Sequence, residues 1–64
     1  MSTLKQRKAI VSRAIKALNK AADSLVELSY LAGEFGVESS REDRFISDFK
    51  ERAAYWEKCT WWKK

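Results

Sequence analysis

The segment Gly33-Glu34-Phe35-Gly36-Val37-Glu38-Ser39-Ser40-Arg41-Glu42 decides how this chain folds. It holds the only two glycines of a 64-residue sequence that has no proline, so the break in regular structure falls here. Gly36 suits the residue after a helix, where left-handed backbone is needed, and Val37 can then fold back toward Ala32 in a Schellman ending. Ser39 can cap the free amides of a new helix, and Glu42, three residues on, can reciprocate in a capping box. Asp43 adds favourable negative charge to the first turn. One helix stops and another starts, with a turn over 36–38 between them.

Working outward, Leu4, Val11, Leu18, Leu25 and Ala32 recur every seven residues upstream, and Ala14, Ala21, Leu28 and Phe35 follow three positions after the last four. These are the two core positions of a heptad, and they predict a helix over about 3–35. Ile10, Ala17 and Leu31 on one side, with Ile15 and Ala22 on the other, widen the stripe beyond a two-stranded seam. Downstream, Phe45, Phe49, Trp56 and Cys59 share a stripe with Ile46, Ala53 and Thr60 beside it, which predicts a second helix over about 39–61. Arg44 with Asp48, and Asp48 with Arg52, are spaced to pair on its outer side. So short a turn makes the helices antiparallel neighbours. The expected fold is all-α, one domain over 1–64, a two-helix hairpin. Phe45 and Phe49 are expected near Leu28 and Leu31, with Trp56 and Trp62 against Ala14, Ala17, Ala21 and Ala22. Trp61 is expected to stay partly exposed, because adjacent rings cannot both face inward.

A chain this short has a marginal core and calls for a staple. With one cysteine and no histidine it has neither an internal disulfide nor the usual zinc ligands. Oligomerisation remains, and the longer first helix leaves Leu4, Ile10, Val11 and Leu18 as the expected interface of a homodimer with a four-helix arrangement. A lone Cys59 reads as a small core residue in a reducing, cytoplasmic setting. The N-terminal residues alternate charge with apolar groups, so neither a signal peptide nor a membrane span is expected.

Catalysis needs a nucleophile with a base, paired carboxylates in a pocket, or a metal. No such constellation is present: the carboxylates of the second helix are interleaved with Arg and Lys, and two helices enclose little volume. No catalytic residue, metal ligand or cofactor is therefore assigned, and an enzyme is not expected.

The net charge of +4 is segregated. Residues 1–22 carry Lys5, Arg7, Lys8, Arg13, Lys16 and Lys20 with no acid, and residues 23–43 carry six acids against Arg41 alone. Residues 44–64 are basic again, so a hairpin has a basic pole and an acidic turn. The six N-terminal bases are the candidate nucleic-acid contacts, although no helix-turn-helix is discernible. Val26 and Tyr30, four apart among Asp23, Glu27 and Glu34 on the side away from the core stripe, form a candidate docking spot for a protein partner, with Trp61 a further candidate.

In size and layout, with a first helix ending at Gly33-Glu34-Phe35-Gly36, the Ser39-Ser40-Arg41-Glu42 cap and an aromatic second helix ending Trp61-Trp62-Lys63-Lys64, the chain resembles the small helical early proteins of lambdoid bacteriophages. The resemblance spans the whole chain and is architectural. It implies a regulatory protein made early in a host bacterial cytoplasm, acting by binding host components. The sporulation-phosphatase hairpins are similar in size, but Phe45-Ile46-Ser47-Asp48-Phe49 does not supply the Ser-Gln-Glu-Leu-Asp-like run of their second helix. The expected function is a non-enzymatic protein-interaction module, with a small nucleic-acid-binding protein as the alternative.

Overall fold

Thr3 opens the first helix by accepting the Gln6 amide on its hydroxyl at 3.1 Å, while the Gln6 side chain accepts the Thr3 amide at 2.9 Å. This reciprocal box relieves the unpaired donors of the first turn and starts α1, Leu4–Glu34. The structure, a computed structural model, describes residues 3–63. α1 ends as expected: Gly36 has φ of 67°, Val37 donates to the Ala32 carbonyl at 2.8 Å, and Gly36 donates to Gly33 at 3.3 Å. Those two bonds are a Schellman motif, and they turn the chain back on itself. The second helix, α2, runs Ser40–Lys58 antiparallel to α1, and the described residues contain no strand. The all-α hairpin expected from the sequence is the observed fold.

The start of α2 differs from the expected capping box. Ser39 makes no side-chain cap bond. Its hydroxyl lies 3.2 Å from that of Ser29, which in turn donates to the Asp43 carboxylate at 3.2 Å. Since the single Ser29 proton goes to Asp43, Ser39 is the donor to Ser29. Glu38 takes over at the helix start, accepting the Ser40 amide at 2.6 Å. Hydrogen bonding from Ser40, hydroxyl first and amide second, holds the Glu38 carboxyl below its ordinary value of 4.5. A lowered folded-state pKa contributes stability above the unfolded value that is lost as pH falls through the folded value. The Ser40 amide resonance should therefore titrate with a midpoint below 4.5 and become insensitive in Glu38→Gln. A midpoint at or above the ordinary value would remove Glu38 from the cap.

α2 also ends three residues earlier than its apolar spacing suggests, and the tail supplies the reason. Beyond Cys59, whose backbone is extended, the chain turns so that the Trp62 indole donates to the Trp56 carbonyl at 2.7 Å. The Lys63 ammonium donates to the Glu57 carbonyl and stands over the Trp62 ring. Two carbonyls left open by the last helical turn thus gain side-chain donors. Trp62 swings onto Val11, Ile15 and Ala53, with Leu18, Trp56 and Cys59 packed around them. Trp62 is buried and Trp61 is 52% exposed, as expected for the two adjacent rings.

The seam chosen by α2 lies to one side of the expected one. α1 presents Val11, Ile15, Leu18, Ala22, Leu25, Ser29 and Ala32 to it, all buried or half-buried. α2 presents Glu42, Ile46, Phe49, Ala53 and Trp56. Trp56 does not rest on Ala14 and Ala17, which are exposed, and Leu28, Leu31 and Phe45 are each about half open rather than closed on one another. The polar contacts agree with the rotation: Ser29 faces α2 through its bonds to Ser39 and Asp43, and Asp23, on the exposed flank of the seam, reaches Lys50 at 3.8 Å. That pair is the one salt bridge among the described residues, so Arg44, Asp48 and Arg52 do not form their expected pairs.

The hairpin is a rod of 48 × 15 × 15 Å with a radius of gyration of 15.1 Å. A compact chain of this length would have a radius near 11 Å, roughly.

Candidate interaction surface

Because helical positions three and four apart share a face, α1 carries a second row beside the seam: Ile10, Ala14, Ala17, Ala21, Ser24, Leu28, Leu31 and Phe35. No charge interrupts it. Ile10 is 56% exposed, Leu28 47%, Leu31 52% and Phe35 76%, while Ala14 and Ala17 are open and Ala21 is half-buried. The row is thus an uncharged face, apolar but for Ser24, that has no partner in the hairpin.

α2 lends this face a wall. Asp43 and Lys50 reach Ser29 and Asp23, so that flank of α2 lies on the far side of the seam. Phe45 projects from the opposite flank, beside the open row, and stacks on Phe49 with centroids 6.1 Å apart. Half of its surface stays in water. Isolated exposed apolar residues are ordinary, but a row of them along one helix is a candidate interaction site.

The residues expected at a dimer interface divide. Val11 is buried in the hairpin's own core and Leu18 is half-buried against it, because the Trp62 tail covers them. They are therefore not the uncovered positions they were expected to be. Leu4 is half-buried, and Ile10 alone of the four is open.

The candidate docking pair also separates. Tyr30 is 75% exposed, but Val26 is half-buried beside the seam rather than on the far side of the helix. Trp61 is open and meets Trp56 edge-on at 6.0 Å, which meets Tyr55 in the same way at 5.3 Å. This aromatic group sits at the basic end of the rod.

The six candidate nucleic-acid contacts do not form one surface. Lys5, Arg13, Lys16 and Lys20 fall on the outer face of α1 by their spacing, whereas Arg7 and Lys8 project elsewhere. Arg7 is half-buried, and its Nε is enclosed without an acceptor. The outer row continues directly into Asp23, Glu27 and Glu34, all exposed. A duplex lying along the basic half would run onto carboxylates within a few helical turns, and these repel phosphate. A protein surface with its own alternation of sign meets no such penalty.

Surface grooves are shallow and open. One lies between α1 and the tail, lined by Ile15, Lys16, Asn19, Glu57, Trp62 and Lys63 among others. Among the described residues no helix is long and apolar enough to cross a membrane. Compared with protein families, characterised proteins and solved structures, the chain matches none.

Proposed function

We propose that this chain is a non-enzymatic interaction module that works by binding proteins through the open apolar face of α1. The carrying observation is the uncharged row from Ile10 to Phe35, apolar but for Ser24 and largely left in water while a parallel row on the same helix is closed by α2. Burial of apolar area is the main driving force for association, and this face leaves Ile10, Leu28, Leu31 and Phe35 about half open or more. The acidic and basic halves of the outer face add orientation rather than affinity. On this reading the chain has a regulatory role, and the resemblance to lambdoid early proteins would make its target a host bacterial protein, which meets the α1 face in competition with any copy of the chain that occupies it.

The alternative, a small basic nucleic-acid-binding protein, draws on Lys5, Arg13, Lys16 and Lys20. Two measurements at about 150 mM salt, where exposed charges are screened beyond about 8 Å, separate the readings. The interaction reading expects duplex DNA to bind no tighter than about 10⁻⁶ M, the ordinary non-specific range. It also expects protein captured from a bacterial lysate to survive nuclease digestion. A dissociation constant below about 10⁻⁷ M, or captured material lost entirely to nuclease, would transfer the function to nucleic acid.

A further inference from the structure

Resting on the reading of α1 as an interaction face, we infer that its occupant is a second copy of the chain: the open rows of two α1 helices pack antiparallel, about a two-fold axis passing between Ala22 and Asp23. Three observations lead there, and the first is area. The chain exposes 5313 Å², whereas a compact monomer of its mass exposes about 4,200 Å². The excess, about 1,100 Å², belongs to the rod as a whole and is of the size that a standard interface, roughly 800 Å² per partner, would remove.

The second observation is the order of side-chain sizes. Small residues, Ala14, Ala17, Ala21 and Ser24, occupy the first part and middle of the row, and Leu28, Leu31 and Phe35 occupy the end. A parallel pair would set alanine on alanine at one end and leucine on leucine at the other, leaving a void and a collision. An antiparallel pair sets Ala14 against the partner's Leu31, Ala17 against the partner's Leu28, and Ala21 against the partner's Ser24. Ile10 then meets the partner's Phe35. The leucine layers then each pair one large with one small side chain, as close packing favours, and the small Ala21–Ser24 layers at the axis let the two helices approach closely.

The third observation is charge, and it selects the register independently. One residue before each alternate member of the row stand Arg13, Lys20, Glu27 and Glu34, seven apart and all exposed. In antiparallel coiled coils this flanking row faces its own copy. The register fixed by side-chain size places Arg13 beside the partner's Glu34 and Lys20 beside the partner's Glu27, each contact occurring twice by symmetry. Sliding one heptad in one direction sets Lys20 against its own counterpart. Sliding the other way does the same to Glu27. A parallel pair would face these charges with the Leu18 and Leu25 row instead. Size and charge therefore agree on one register, in which Phe45 borders the contact from α2.

The test is sedimentation equilibrium at micromolar concentration, with helix content checked by circular dichroism. The wild-type chain should be a dimer. Lys20→Glu should weaken it about tenfold, since both symmetric pairs become repulsive. Adding Glu27→Lys to that variant should restore the wild-type constant. Leu28→Asp, on the open face, should give a monomer with unchanged helix content. A dimer that Lys20→Glu leaves alone, or that the second exchange fails to rescue, overturns the register and leaves the interaction reading standing. A fully folded monomer overturns the second copy as occupant, and nuclease-resistant capture then decides whether another protein takes the face.

Discussion

Replacing Trp62 with alanine is expected to cost about 3 kcal/mol or more, the range for removing a buried tryptophan ring. The ring is 8% exposed, and it covers Val11 and Ile15 at the end of the rod where α2 has already stopped. Losing it would open that cluster to water and leave the Trp56 carbonyl without its indole donor. A loss of this size is comparable to the whole stability that a small single core supplies, so the hairpin should open from its basic end. Urea unfolding at fixed protein concentration measures it, and a loss below about 1 kcal/mol would contradict the packing described here. Trp61→Ala is the control. That ring is 52% exposed and touches Trp56 only edge-on, so its removal should cost about 1 kcal/mol or less.

The contrast between these adjacent rings was legible in the sequence, because neighbouring residues cannot both face one core. What α2 would do at its end was not. No glycine or proline marks residue 58, and the stop comes from tail side chains reaching back to carbonyls, a contact that no spacing rule describes. Gly36 was readable because the left-handed backbone that follows a helix favours the one residue without a Cβ. The two capping signatures show the limit of local patterns. Thr3 and Gln6, a pairing of the same kind, form the box, whereas Ser39 and Glu42 do not, because Ser39 is drawn to Ser29 across the turn.

The same cause hid half of the candidate surface. α1 offers two apolar rows, and hydrophobic periodicity alone cannot say which one α2 will cover. Ser29 lies within the covered row and bonds to Ser39 and Asp43 of the facing segment, and an apolar stripe reading gives such a residue no weight. Val11 and Leu18 consequently lie inside the hairpin, and the row containing Leu28, Leu31 and Phe35 lies outside it.

Substituting leucine at Ala22 tests that division of the helix into two rows. Ala22 has no exposed surface, so the added carbons have no gap to enter and must push α2 outward. Overpacking of this kind costs about 1 to 3 kcal/mol. The displacement would also lengthen the Lys50–Asp23 contact next to it. Ala21, one residue earlier, is half-buried on the side of the open row. Ala21→Leu should therefore leave the unfolding of the isolated hairpin nearly unchanged while crowding the layer that faces the partner's Ser24. The two substitutions place the same atoms about 100° apart on one helix, roughly one residue of rotation. One should act on the fold and the other on association. If Ala21→Leu destabilised the monomer as much as Ala22→Leu, the seam would have to run through Ala21, and the open row would lose its separate identity.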